Sequence, residues 1–328
     1  MKKSTDVTAL GELLIDFTEC DVSPQGNPLL EANPGGAPCN VLAMLAKLGR
    51  RTAFIGKVGR DSFGKSLCRA AAEAGIDVGN LLFDDRVPTT LAFVHNAPDG
   101  ERDFSFYRNP GADVMLRPEE VSEDLIARSR IFHFGSLSMT HPESRAATKR
   151  ALQLAHKHSC LVSFDPNLRE PLWDDPEEAG RQIAFGLGQC DVLKIADNEL
   201  KWFTGRADLA EGVRELQDRY DIPLLLVSRG RDGSSAFHRG MRVDEAAFLM
   251  DNTVDTTGAG DAFCACVLHF VLEWGADDLR EDQLREMLRF ANAAAALVTT
   301  KKGALRVMPT AAETETLLAE RQQKSPLA

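Results

Sequence analysis

Val254-Asp255-Thr256-Thr257-Gly258-Ala259-Gly260-Asp261-Ala262-Phe263 is a glycine-bearing turn that runs straight into a helix, with a carboxylate at its mouth. From Ala259 to Trp274 the chain is good helix material. Ala262, Phe263, Val267, Leu268, Phe270, Val271 and Leu272 give it an apolar body, so a long, buried helix is predicted. Backbone amides at such a start have no intrahelical partner, and together with the helix dipole they make a site for an anion. Asp261, one turn or less inside, would face that anion. A carboxylate is out of place there unless it takes a proton from a group that attacks a bound phosphate. The plainer alternative is a glycine turn whose acid only complements the helix start. Two features weigh against it. Asp255, Thr256 and Thr257 already supply capping groups. The turn also follows a strand-like stretch in an α/β chain, and such sheets bind ligands at strand C-termini.

The α/β character shows in the segments upstream. From Pro118, helix 118–129, strand 131–137, helix 142–157, strand 160–165, helix 176–189 and strand 191–196 follow one another. Helices 197–204 and 208–219 then lead to the very apolar strand 223–228. Alternating helices and apolar strands predict a parallel sheet covered on both faces. A β pair around 234–248, helix 280–299 and a helix from Thr310 complete this side. Nearer the start, Val7 to Phe17 reads as one strand with Gly11 and Glu12 inside it and Asp16 at its end. Pro34-Gly35-Gly36-Ala37-Pro38 opens a helix in which Val41, Leu42, Leu45 and Leu48 recur at helical spacing. Strand 52–58 and helix 62–74 follow, the helix stopped by Gly75. Two helix-free excursions, at about 16–33 and 89–110, are expected to pair as a small β lid, with Pro98-Asp99-Gly100 as a hairpin turn. No repeat or linker divides the chain, so residues 1–328 are expected to form a single domain.

The bulk numbers restrict the partners. A net charge of −11 argues against a general nucleic-acid or anionic-membrane binder, so positive charge for an anionic substrate must be placed locally. The seven cysteines are dispersed, with no CxxC pair, which suits a reducing compartment. Met1-Lys2-Lys3-Ser4 leads directly into a strand-like run, and no stretch of about 18 apolar residues occurs. A cytoplasmic protein without a membrane partner is expected.

Other candidate residues cluster near strand ends. Asp16, Gly35, Gly36 and Asn40 offer a polyol close-set acceptors, a donor and open backbone. Arg108, Arg169 and Lys194 could serve phosphate or substrate, although any one of them taken alone is more often a surface cation. Glu199 starts a helix, where an acid suits the dipole, and it could also order Mg²⁺ through water. Gly59-Arg60-Asp61-Ser62-Phe63-Gly64-Lys65-Ser66 matches the phosphate-cradling G-x-x-x-x-G-K-[ST] pattern. Asp61 and Ser62 look like the N-cap of the next helix, which would put Lys65 and Ser66 inside its first turns instead of at its mouth. No histidine spacing suggests a metal site.

Together these residues resemble the PfkB (ribokinase-like) carbohydrate kinases over nearly the whole chain. Pro34-Gly35-Gly36-Ala37-Pro38-Cys39-Asn40 looks like that family's GG-x-x-x-N sugar motif, and Asp255 to Asp261 like its DTxGAGD motif, about 220 residues later. Val58 to Gly64 is similar to its structural VGxDxFG segment, so the P-loop match reads as a coincidence. Within the family the chain looks closest to fructokinases, through Asp99 to Phe104, Phe106 to Asp113 and Asp165-Pro166-Asn167-Leu168-Arg169. 2-Keto-3-deoxygluconate kinases, which share the Tyr-Arg and Asp-x-Asn-x-Arg elements, are the nearest rival.

The resemblance implies a three-layer α/β/α sandwich with a mostly parallel central sheet and a β-sheet lid that in many members forms a dimer interface. It implies ATP and a sugar as substrates, Mg²⁺, and a monovalent cation such as K⁺. Asp261 would be the base, and Gly258, Ala259, Gly260 and Asp261 would supply the anion-hole amides. Asp16, Gly35, Gly36 and Asn40 would hold sugar hydroxyls, and Arg108 and Arg169 the substrate or the transferred phosphate. Lys194, Glu199, Ser228, Gly230 and Asn292 would serve the nucleotide, with Glu199 acting on Mg²⁺ through water. Asp255 and Thr257 would seat the monovalent cation, with carbonyls near Val298 to Gly303. The chain departs from the pattern at Ala196, where the family's N-x-x-E motif has Asn.

Overall fold

The computed structural model describes residues 3–96 and 102–324. The N-terminal part runs β1 (Thr5–Leu10), β2 (Leu14–Val22), β3 (Pro28–Gly35), α1 (Ala37–Lys47), β4 (Thr52–Gly59) and α2 (Ser62–Glu73). Then come β5 (Ile76–Asp84), β6 (Leu91–Asn96), β7 (Arg102–Tyr107), α3 (Glu123–Ala127), β8 (Ser129–Gly135), α4 (Pro142–Lys157) and β9 (Leu161–Asp165). The chain continues with α5 (Pro176–Leu187), β10 (Val192–Ala196), α6 (Asp197–Thr204), α7 (Leu209–Arg219), β11 (Leu224–Ser228), β12 (Ser234–His238) and β13 (Met241–Glu245). It ends with α8 (Ala259–Trp274), α9 (Glu281–Val298) and α10 (Ala311–Lys324).

Among the described residues, nine strands form one sheet in the order β13-β12-β11-β10-β9-β8-β1-β4-β5. All neighbours from β11 through β5 pair in parallel, and β12 and β13 add an antiparallel edge. Alternating side chains feed two cores. Leu224 and Leu226 pack with α1, α8 and α9, whereas Leu225 and Val227 pack with α4, α5 and α7 on the other face. β1 lies between β8 and β4, so the connections diverge at its C-terminal end. A crevice opens at such a point, and this is where open α/β sheets place ligands.

β3, β2, β6 and β7 form a separate four-stranded sheet from the two excursions. Phe17 stacks on Phe93 at 4.9 Å and meets Phe63 of α2 edge-on at 5.7 Å, which packs this small sheet against the main body.

Several boundaries differ from the sequence reading. Val7 to Phe17 is not one strand: β1 ends at Leu10 and β2 starts at Leu14 in the other sheet. Gly11-Glu12-Leu13 is the crossing between them. β5 was not foreseen; its half-exposed IDVGNLLFD carries polar residues and glycine because it is an edge strand. Helix 118–129 is a 3₁₀ turn at Pro118–Glu120 followed by the short α3. No strand precedes the Asp255 turn, since β13 ends at Glu245. Pro98-Asp99-Gly100 lies outside the described residues.

Candidate active site

The mouth of α8 is fixed by one side chain. Asp255 accepts from the Thr257 amide at 2.8 Å and from the Gly303 amide at 3.2 Å, while the Val254 and Asp255 amides donate to the Thr299 carbonyl. The turn is thereby tied to the end of α9. Gly258 then adopts φ 81°, and a Cβ there would stand 2.8 Å from that of Ala304, so only glycine serves. Ala259, Gly260 and Asp261 are the first three helical residues; the Ala259 amide donates to the Thr256 carbonyl at 3.3 Å, while no helical carbonyl stands within reach of the Gly260 and Asp261 amides.

A second helix mouth faces this one. Gly36 precedes α1 with φ 126°, and Glu12 accepts from the Ala37 amide at 2.8 Å, capping the helix from another segment. A side chain on Gly35 would collide with the Asp16 carboxylate. From α1, Asn40 Nδ2 donates to Asp261 Oδ2 at 2.8 Å, a bond that spans 221 residues of sequence. The two glycine motifs therefore meet in space.

Between them lies a cleft of about 300 Å³. Asp16, Gly36 and Asn40 line one side, and Gly258, Gly260 and Asp261 the other. Glu12, Arg169 and Lys194 complete the charged lining, and Phe106 comes in from β7 of the small sheet. A larger groove lined by α8, α9 and α10 contains none of these residues; its Arg280 and Arg285 pair with Asp282, Glu245 and Glu281.

Burial and mutual repulsion set the charge state. Burial pushes the Asp261 carboxyl from 3.8 up to about 6; Asp165 adds to the rise, and Asn40, Lys194 and Arg169 oppose it. Enclosure raises Asp16 to about 7, against Arg169 and with help from Asp255 and Asp261. Glu12, buried throughout, also rises to about 7. The Lys194 ammonium sits 2.9 Å from Asp165, and the acids beside it hold its proton more tightly than usual despite burial. Glu199 is buried, which raises its carboxyl; its oxygens accept from the Leu168 amide at 2.6 Å and the Ala196 amide at 2.8 Å.

Not every expected residue reaches the cleft lining. Arg108 forms a buried ion pair with Asp113 at 2.6 Å and also donates to Thr140 and to the Leu137 carbonyl. Asn292 accepts from Ser234 and donates to the Ala246 carbonyl, joining α9 to the β12–β13 edge. Ser228 ends β11, and Gly230, with φ 52°, opens the exposed turn beyond it. Lys65 lies exposed within α2, whose N-cap Asp61 takes the Gly64 amide at 2.8 Å, so the P-loop match makes no phosphate cradle. Neither Glu12 nor Asp165 has a role assigned to it in the sequence reading. A glutamate beside a glycine in an apolar run was the signal for the first, and the Asp-Pro turn at a strand end for the second.

The sequence pattern described as "pfkB family carbohydrate kinase" matches residues 4–311. The chain belongs to this family. It is 41% identical over 310 residues to the Arabidopsis thaliana protein named "Probable fructokinase-2", covering 94% of each chain. It is 41% identical to fructokinase-1 of Zea mays over 309 residues, or 94% of this chain and 95% of that protein. Among solved structures it is similar to the fructokinase of Xylella fastidiosa with bound ATP, at 32% identity and a TM-score of 0.88, covering 98% and 99% of the two chains. It is also similar to the Vibrio cholerae O395 fructokinase with fructose, ADP and calcium ion, at 30% identity and a TM-score of 0.85, covering 96% and 99%. The ribokinase-like α/β fold expected for this family is the one described above.

Proposed function

We propose that this chain is an ATP-dependent fructokinase that transfers the terminal phosphoryl group of ATP to the 6-hydroxyl of D-fructose, giving fructose 6-phosphate and ADP. The observation that carries it is the Asn40–Asp261 hydrogen bond, which puts a sugar-type motif and a base at a helix mouth into one cleft. The curated relatives named as fructokinases support the sugar. So does Arg108: its commitment to Asp113 leaves Arg169 as the arginine lining the cleft, which suits a neutral sugar better than a sugar acid.

Asn40 holds one oxygen of Asp261, and the other takes the proton of the 6-hydroxyl. A carboxyl near 6 is largely ionised at neutral pH and basic enough to contribute a factor of about 10²–10⁴. The amides of Gly258 to Asp261 receive the transferring phosphoryl oxygens, with Lys194 and Arg169 adding positive charge. Asp16, Gly35, Gly36 and Asn40 hold the sugar hydroxyls, and the lid excludes water, the competing acceptor. Ser228, Gly230 and Asn292 are assigned to the nucleotide side.

No group of three or more His, Cys, Asp and Glu side chains among the described residues could hold a metal ion. Mg²⁺ would therefore come with the nucleotide, keep most of its waters and touch Glu199 through one of them. Bound there it would neutralise phosphate charge. Asp255 and Thr257, beside the Thr299–Gly303 turn, suit a monovalent cation such as K⁺, because the carboxylate already gathers both loops. Val22, Leu29, Leu30 and Tyr107, exposed on the lid strands, support a homodimer formed through it. The seven free cysteines support a cytoplasmic setting, and no helix among the described residues is long and apolar enough to cross a membrane.

A substrate panel tests the assignment. With MgATP, kcat/KM for fructose is expected to exceed that for 2-keto-3-deoxygluconate, ribose and nucleosides by at least about tenfold, the lower end of what one small group is worth in a pocket. Preference for the sugar acid would overturn it.

A further inference from the structure

We propose that Asp165 is a positioning residue for phosphoryl transfer: it fixes the Lys194 ammonium over Gly260, so that the helix mouth holds a side-chain cation before the nucleotide arrives. The inference rests on the reading of Gly258 to Asp261 as the anion hole.

Four observations converge. The Asp165 carboxylate and Lys194 ammonium are 2.9 Å apart, with side chains 4% and 7% exposed, yet Lys194 lines the cleft. Lys194 comes from β10 and Asp165 from the end of β9, so neighbouring parallel strands fix their separation. A Cβ on Gly260 would stand 3.2 Å from the Lys194 nitrogen, so the absence of a side chain there is what admits the ammonium to the helix mouth. The other Asp165 oxygen accepts from the Asn167 amide at 3.2 Å. That turn, with Asn167 at φ 43°, carries Asn167 and Arg169 into the cleft lining. One carboxylate thus orients two cationic groups toward the same space.

The groups around Lys194 leave this task to Asp165. Glu199 attracts it from α6, but both Glu199 oxygens accept backbone amides. His133 on β8 is buried against Ser163, and burial, with Lys194 nearby, lowers it to about 3, so it stays neutral. Burial pushes the Cys264 thiol of α8 well up, so it does not ionise in the working range. Asp261 and Asp16 line the cleft itself, with Arg169 as the second cation. A buried ion pair rarely adds net stability over apolar packing, so stability alone is a poor reason for this one. Its cation at the cleft wall is a better one.

The test uses the full chain. Asp165→Asn is expected to lower kcat by about tenfold to a hundredfold, the loss that follows from a small misplacement, while KM for fructose changes less than about twofold. Without its counter-ion Lys194 is left with burial alone and loses its proton more easily, so the variant's kcat profile should gain a fall on its alkaline side that the wild type lacks. Asp165→Glu should restore most of the rate. Adding Lys194→Met to Asp165→Asn should cost less than about twofold more, because the two act as one unit. An unchanged alkaline limb, or losses that multiply in the double variant, would overturn the proposal. Should Asp165→Asn not fold, Lys194→Met alone decides: near-normal kcat in a protein that melts as wild type refutes it. Asp261→Asn separates the two readings, since retained turnover there would sink the anion-hole assignment itself.

Discussion

Replacing Asp261 with Asn should cripple catalysis and stabilise the protein in the same step. The side chains are nearly isosteric, and the new amide oxygen can still accept from Asn40. What disappears is a carboxylate that burial holds at about 6, against 3.8 in the unfolded chain. Below pH 3.8 the group is protonated in both states and contributes no difference. Between 3.8 and about 6 the unfolded chain ionises while the fold retains its proton, so the cost to the fold accumulates. Above about 6 that cost levels off. At about 1.4 kcal/mol per pH unit, the interval corresponds to roughly 3 kcal/mol as an upper figure. Thermal unfolding of wild type and Asp261→Asn at pH 8 and pH 4 is the assay. The variant should melt a few degrees higher at pH 8, with most of the advantage gone at pH 4. Its turnover should fall at least about 10²-fold. In wild type, kcat/KM should fall as pH drops through about 6. A variant that melts at or below the wild-type temperature at pH 8, or that turns over within tenfold of wild type, would refute the reasoning.

Two further substitutions probe the frame of the site. Gly35→Ala puts a methyl group against the Asp16 carboxylate and should raise KM for fructose at least about tenfold while leaving KM for ATP near its wild-type value; an unchanged fructose KM would remove Asp16 from the sugar site. Lys65→Ala removes an exposed charge within α2 and should change KM for ATP by less than about twofold. A collapse of ATP binding there would revive the P-loop reading.

The parallel core was readable because strands such as Leu224–Ser228 are buried on both faces and therefore appear as uninterrupted apolar runs. The helix at Ala259–Trp274 was readable for the same reason. β5 was not, since an edge strand carries Gly79 and Asn80 without penalty to either core. The break at Gly11-Glu12-Leu13 is hidden in the sequence because apolar residues continue on both sides of it, Leu10 before and Leu13, Leu14 and Ile15 after. What ends β1 is a change of sheet, a tertiary event. The same limit applies to partners. Arg108 has several acids within reach along the chain, and only the fold shows that Asp113 takes it. Glu12 and Asp165 acquire meaning from what stands across from them, the Ala37 amide and the Lys194 ammonium. The meeting of the two glycine motifs was legible only by resemblance, because nothing local in either predicts a contact 221 residues away.

That distance also orders events at the ribosome. β1 pairs with β4 and β8, so the sugar-side framework can assemble from the first half of the chain. Asp261 leaves the ribosome later. At about 5–20 residues per second, the 221 residues after Asn40 take roughly ten to forty-five seconds to make. By the end of that interval the nascent chain can hold a sugar-side half still without its base, and no phosphoryl transfer can begin until α8 docks and its carboxylate meets Asn40.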